Sequence, residues 1–443
     1  MKIVVVGGVA AGMSAAAKAK RTDKDLSIVV YEKTDTVSFG ACGLPYFVGD
    51  FFSNPDYMIA RTAENFQKNG IDVNINHEVI AVDFEKNKIT VKNLKTKHVF
   101  EDSYDKLLIT TGARADIPPI ENVKLENVFT LRTMEDGLKL KEYALESQNQ
   151  DVVVIGGGYI GIEVIEAMKK LGKNIRLIQL DERILPETFD KEMTDILEEE
   201  IRNHGVKLHL GETVSEFIGE KKIQEVISEK GRYRAHMVVI ATGAKPQTEF
   251  LGNSAIRKLP NGAIVINAYG ETNILGVYSA GDCATVPHRI LGHDYIPLAT
   301  TANKLGRIVG ENLGGKKVKF QGTLGSAAVK VMDLEAGRTG ITEVQAQERG
   351  LNCKTAFISD KNQTNYYPGQ SSIYIKLIYD ADSKVILGGQ IVGKKGAVLR
   401  VDVLATAIYH KMTTNELGML DLCYAPPFAR TWDALNVAGN VVK

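Results

Sequence analysis

Cys42 is the residue from which a reaction is most easily built. It lies in Ser38-Phe39-Gly40-Ala41-Cys42-Gly43-Leu44-Pro45, flanked by glycines and followed by a proline suited to the first turn of a helix. A thiol at the start of a helix is favoured as thiolate by the backbone dipole, so its pKa is expected below the usual value of about 8.5. The other cysteines, Cys283, Cys353 and Cys423, are far away in sequence and read as packing. No partner for a vicinal dithiol is near, so the chemistry implied is that of one sulfur cycling through thiolate, mixed disulfide, sulfenate or persulfide.

Two glycine turns supply what such a sulfur would need. Gly156-x-Gly158-x-x-Gly161 follows the apolar run VVVI and opens a helical stretch, the context in which this spacing holds a dinucleotide. The glycines permit a tight turn, let the backbone approach a pyrophosphate, and bring helix and strand together, with the helix N-terminus facing the phosphates. The first turn carries Gly7, Gly8 and Gly12, with Val9 where the middle glycine belongs. Twenty residues after Gly12, Glu32 ends the next strand, where an acidic side chain accepts the ribose hydroxyls of an adenosine. Its counterpart in the second unit is the neutral Gln179, which leaves NADH and NADPH both open. Gly281-Asp282 closes a further apolar strand, and its carboxylate suits either a hydroxylated chain or a helix cap.

The elements behind these turns repeat. KIVVVGG, a helical VAAGMSAAAKAKR and LSIVVYEK give strand, turn, helix, strand; VVVIGGG, YIGIEVIEAMKKLG and NIRLIQLDE give the same order again. Continuously apolar strands of this kind belong in parallel sheets covered on both faces. LLITTGARADIPP, with Gly112, and VVIATGAKPQ, with Gly243, are near-duplicates that each end a nucleotide domain and hand the chain to its neighbour. The expected fold is α/β: a nucleotide domain of residues 1–115 and 245–319, a second of 116–244 inserted in it, and an α+β domain of 320–443.

Composition narrows the class. Of 443 residues, 44% are hydrophobic, and 54 basic residues balance 54 acidic ones. About three domains are expected, with neither the basic footprint of a nucleic-acid binder nor an attraction to acidic membranes. Ile3–Ala17 is uncharged but shorter than the roughly 20 residues of a membrane span, and glycines interrupt it. A soluble, unprocessed protein of the reducing cytoplasm is expected.

Together these residues resemble the flavin-dependent pyridine nucleotide-disulfide oxidoreductases over essentially the whole chain. The single cysteine of SFGACGLPY and the tail CYAPPF are similar to the coenzyme A-disulfide reductases, with NADH oxidases and peroxidases as relatives. The resemblance implies FAD on the first turn, with Glu32 on the adenine ribose and Asp282 on the ribityl chain. It implies NAD(P)H on the second, with Tyr159 over the flavin face and Glu163 near the nicotinamide. It further implies a homodimer in which Tyr366 and Tyr424 reach the partner's cysteine, while Lys18, Arg21 and Ser38 contact coenzyme A. Oxidases and peroxidases of the family carry a histidine in the first glycine turn, where this chain has Ala10. The histidine-proline tail of glutathione reductase-like members is also missing, with Lys411-Met412-Thr413 in its place. The implied activity is reduction of coenzyme A disulfide; an NAD(P)H oxidase, a persulfide reductase and a flavin-bearing redox sensor are the alternatives.

Overall fold

The computed structural model describes residues 1–442. Lys2–Val6 forms the central strand of a parallel sheet, flanked by Ser27–Glu32 and Lys106–Ile109, with Ile71–Ile75 and Val277–Ser279 at the edges. Val4 pairs with Val29 and Leu107, and Ile3, Val4 and Val5 are fully buried, which is why this run carries no polar alternation. The strand Val277–Ser279 returns after the second nucleotide unit to complete this sheet.

Asp151–Ile155 is the corresponding strand of a second parallel sheet, between Asn174–Gln179 and Met237–Ile240, with Lys207–Leu210 and Val128–Phe129 outside them. The two near-duplicate segments lie against each other. Ala113–Ala115 and Ala244–Pro246 form a two-stranded antiparallel sheet. Gly243 O accepts from the Asp116 amide at 3.0 Å, and Gly112 O accepts from the Gln247 amide at 2.9 Å.

Each nucleotide unit also carries a three-stranded antiparallel meander that the strand-turn-helix reading passed over. One spans His77–Asp83, Lys88–Asn93 and Val99–Ser103; the other spans Val214–Ile218, Glu225–Ser228 and Arg232–Arg234. The third region is a five-stranded antiparallel sheet running from Ala327 to Gly393, covered by the helix Ala397–Tyr409.

Helix Ala10–Thr22 is alanine-rich because it packs closely. Ala11, Ala15, Ala16 and Ala19 are buried, facing helix Ala299–Leu313. A Cβ at Gly306 or Gly310 would fall 2.5 or 2.4 Å from the carbonyls of Ala11 and Ala15. Lys376 bolts the C-terminal sheet to the second nucleotide unit. Its side chain is 1% exposed, and its ammonium lies 2.6 Å from Glu343, 2.9 Å from Glu192 and 3.5 Å from Asp190. Among the described residues no helix is long and apolar enough to cross a membrane.

Candidate active site

Both glycine turns and Cys42 open into one cleft of about 2530 Å³. The turns share a construction. Gly7 (φ +100°) and Gly156 (φ +104°) adopt backbone that favours glycine, and a Cβ there would strike the Thr110 and Ala241 carbonyls at 2.3 and 2.4 Å. Gly12 and Gly161 let the following helices close onto the turns, since a Cβ would lie 2.0 Å from Gly7 O and 1.9 Å from Gly156 O. Gly158 is different: a Cβ there meets nothing within 4 Å, and the residue lines the cleft. It is the point where a phosphate could approach the backbone.

The strand-end residues also correspond. Glu32, 5% exposed, accepts the Gly8 amide at 2.7 Å and the Thr34 amide at 2.8 Å. Gln179 accepts the Gly157 amide at 2.7 Å. Each therefore braces its glycine turn as well as lining the cleft, a role the sequence reading did not assign to Gln179.

Cys42 sits in the single turn Ala41–Gly43, which runs directly into helix Leu44–Val48 with Pro45 in its first turn. The preceding loop is stitched down by Ser38 (φ +51°), whose amide donates to Gly8 O, and by Gly40, whose amide donates to Met58 O. Ser38 thus shapes the cysteine loop and does not itself line the cleft.

The expectation of a lowered thiol pKa is corrected. Cys42 is reachable from solvent, but the surrounding walls strip much of its hydration, and this pushes the thiol up. The Glu163 and Asp282 carboxylates add to the rise, and Arg132 opposes it. A five-residue helix offers too short a dipole to outweigh them.

Glu163 itself is pushed up by burial to about 7, against which the Tyr46 hydroxyl donates to its Oε1 at 3.4 Å. Asp282 is also raised by burial, opposed by Arg132, whose guanidinium lies 3.5 Å away. Tyr46 and Arg132 are the residues that sequence reasoning missed. The first sits inside the cysteine motif itself, whereas nothing local marks the second.

The cleft contains several features that suit a large bound group. Gly112 (φ +67°) and Gly243 (φ +125°) line it with open space above them. The Asn76 amide nitrogen and the Tyr159 hydroxyl are buried without a protein partner, and both residues line the cleft. Unpaired buried donors of this kind call for a polar ligand.

Other predicted residues stand elsewhere. Lys18 is paired with Glu311 at 3.0 Å, and Arg21 is exposed on the same helix; neither lines the cleft. Tyr366 and Tyr424 are exposed, lie outside the cleft, and meet each other, hydroxyl to hydroxyl, at 3.0 Å. Within one subunit they are not brought to Cys42.

Two dinucleotide turns facing one accessible sulfur define a redox enzyme that moves electrons between nucleotide cofactors and sulfur. Comparison with known proteins makes the class specific. The pyridine nucleotide-disulphide oxidoreductase family matches residues 1–306, and the dimerisation domain of the same family matches residues 326–435. The chain belongs to this family. Membership makes it an oxidoreductase that uses FAD and NAD(P)H.

It is 40% identical to an NAD(P)H coenzyme A polysulfide/persulfide reductase of Pyrococcus horikoshii, over 100% of this chain and 98% of that one. It is 33% identical to a coenzyme A disulfide reductase of Staphylococcus aureus over the full length of both. Among solved structures, the water-forming NADH oxidase of Lactobacillus brevis bound to NADH superposes with a TM-score of 0.95 at 32% identity, covering 100% and 98% of the two chains.

Proposed function

We propose that this protein reduces coenzyme A-type disulfides or persulfides at the expense of NAD(P)H, with Cys42 as the sulfur that carries the substrate. The observation that carries this reading is that Cys42 is solvent-reachable in the cleft shared by both glycine turns, while Cys283 is buried and Cys353 and Cys423 lie outside it. FAD would be held by Gly7, Glu32, Gly112 and Asp282, and it supplies the two-electron transfer that links a nicotinamide to a sulfur.

The chain's own residues then have separate tasks. The Cys42 thiolate attacks one sulfur of the substrate disulfide, so a mixed disulfide forms and the other sulfur leaves as a thiolate. Two electrons and two protons per disulfide return both thiols to the reduced state. Glu163, near neutrality in its pKa, can hold or release a proton at its Oε1 under the Tyr46 hydroxyl. Tyr159 would cover the nicotinamide side of the cleft.

A homodimer completes the site. The exposed Tyr366 and Tyr424, with the neighbouring Phe428 and Trp432 also exposed, form a face that a second copy would cover. The tyrosines would then donate hydrogen bonds to the partner's leaving thiolate. Domains of residues 1–115 with 245–319, 116–244 and 320–443 fit this assembly, and free thiols throughout fit a reducing cytoplasm. Of the two helix-borne cations, Arg21 is free to meet a coenzyme A phosphate, whereas Lys18 would first have to leave Glu311.

The test is anaerobic turnover with NADH or NADPH and coenzyme A disulfide, followed by release of free thiol and by intact mass. The expected result is a coenzyme A adduct on Cys42 that reduced nucleotide removes, and loss of disulfide turnover in Cys42→Ser. In a parallel assay in air, predominant four-electron oxygen reduction would replace this reading with an oxidase. Undiminished turnover by Cys42→Ser would end the role of the cysteine.

A further inference from the structure

NADH and NADPH differ by a 2′-phosphate on the adenine ribose, which is read by the chain just after the second strand of a nucleotide fold. Here that chain is Gln179-Leu180-Asp181. Both ends of the Gln179 amide are engaged: its oxygen accepts the Gly157 amide at 2.7 Å, and its nitrogen donates to Asp181 Oδ2 at 2.6 Å. The Asp181 carbonyl accepts the Gly211 amide at 2.9 Å, so its backbone is fixed as well. Asp181 is thereby held as an exposed carboxylate on the cleft wall, beside Leu180, which is 68% exposed.

The rest of the wall has the same sign. Of the cleft-lining residues that segments 178–188 and 212–214 contribute, Asp181, Glu187 and Glu212 carry carboxylates and none is a lysine or arginine. Burial opposes the charge on Glu212, but hydroxyls of Ser228 and Tyr233 donate to it and hold its pKa below the usual range. Arg183, the one cation between Gln179 and Lys191, does not line the cleft, and its guanidinium donates to the carbonyls of Pro186 and Phe189. A phosphate of nearly two negative charges would be placed among these carboxylates with no lysine or arginine on this stretch of the wall.

We infer that the enzyme prefers NADH to NADPH, and that Asp181 is the specificity-determining residue. This rests on the reading that the second turn holds the nicotinamide nucleotide, and the experiment separates the two. Purified FAD holoenzyme is reduced anaerobically in a stopped-flow instrument at varied NADH or NADPH, with no disulfide present. The expected second-order efficiency is higher for NADH by about tenfold or more. Asp181→Asn narrows the ratio by several-fold, and Leu180→Arg combined with Asp181→Asn narrows it further. Because the effect is electrostatic, raising the salt from about 0.05 to about 0.5 M narrows the wild-type ratio more than that of Asp181→Asn. Equal efficiency of the two nucleotides in the wild type, or an Asp181→Asn ratio within about twofold of wild type, overturns the inference. Flavin reduced by neither nucleotide overturns the underlying assignment of the turn, and this inference with it.

Discussion

Gly158 and Gly161 of the second turn should fail in opposite ways when given a methyl group. In Gly161→Ala the new carbon would lie 1.9 Å from Gly156 O, where a carbon–oxygen contact needs about 3.3 Å. The obstacle is a backbone carbonyl, so the helix Tyr159–Lys170 has to lift by more than an ångström. Overpacking of this kind costs about 3 kcal/mol, at the upper end of the usual range. Alanine returns about 1 kcal/mol of helix propensity, leaving a net loss near 2 kcal/mol. For a domain of this size that is a fall in melting temperature of about 4–8 °C.

Gly158→Ala starts from φ −78° and ψ −174°, backbone that alanine adopts, and its methyl meets no protein atom. Stability should change by only a few tenths of a kcal/mol. The methyl instead occupies the space through which a pyrophosphate approaches, and a misplacement of about 1 Å lowers efficiency with NADH by tenfold or more. Thermal melting by circular dichroism of FAD-saturated protein, and anaerobic titration of flavin absorbance with NADH, read the two effects separately. If Gly161→Ala melts with the wild type, or Gly158→Ala binds NADH normally, the division between a packing glycine and an approach glycine is refuted.

Two further outcomes follow from the electrostatics. Above pH about 7 Glu163 is ionised, and its charge then opposes the Cys42 thiolate. Glu163→Gln should therefore lower the pH midpoint for alkylation of Cys42 by iodoacetamide, and an unmoved midpoint would count against the coupling. Lys376→Ala strips the counter-charge from Asp190, Glu192 and Glu343, two of which are partly exposed, and should cost about 3 kcal/mol, visible as an earlier calorimetric transition.

The repeated strand-turn-helix units were legible because their signals are local: apolar runs, glycines at fixed spacing, and Glu32 at a strand end. The near-duplicate Thr-Gly segments betrayed the insertion for the same reason, although not that they pair with each other. The antiparallel meanders were missed because His77–Asp83 and Val214–Ile218 are half-exposed strands, and the one apolar run they offer, residues 79–82, is short and only partly buried. Arg132 gives no local signal, since its partner is 150 residues distant in Asp282. The thiol of Cys42 shows the limit most clearly. Its motif announces a helix start, but its acidity is set by burial and then by carboxylates at 163 and 282, all of which only the fold brings to it. Tyr366 and Tyr424 were legible as a pair of phenols and not as members of this subunit's cleft.

The pairing of Ala113–Ala115 with Ala244–Pro246 sets the entry and the exit of the middle third of the chain side by side. Its way in and its way out are neighbours in a ladder, with Ala115 opposite Ala244, and the segment between them is further tied to its host by Lys141 to Asp50, Lys330 to Glu166 and Lys376 to Glu192. A segment exchanged at those two alanines would leave the distance its host must span unchanged, but would take Arg132 and Glu163 with it. Part of what sets the acidity of Cys42 therefore travels with the inserted unit.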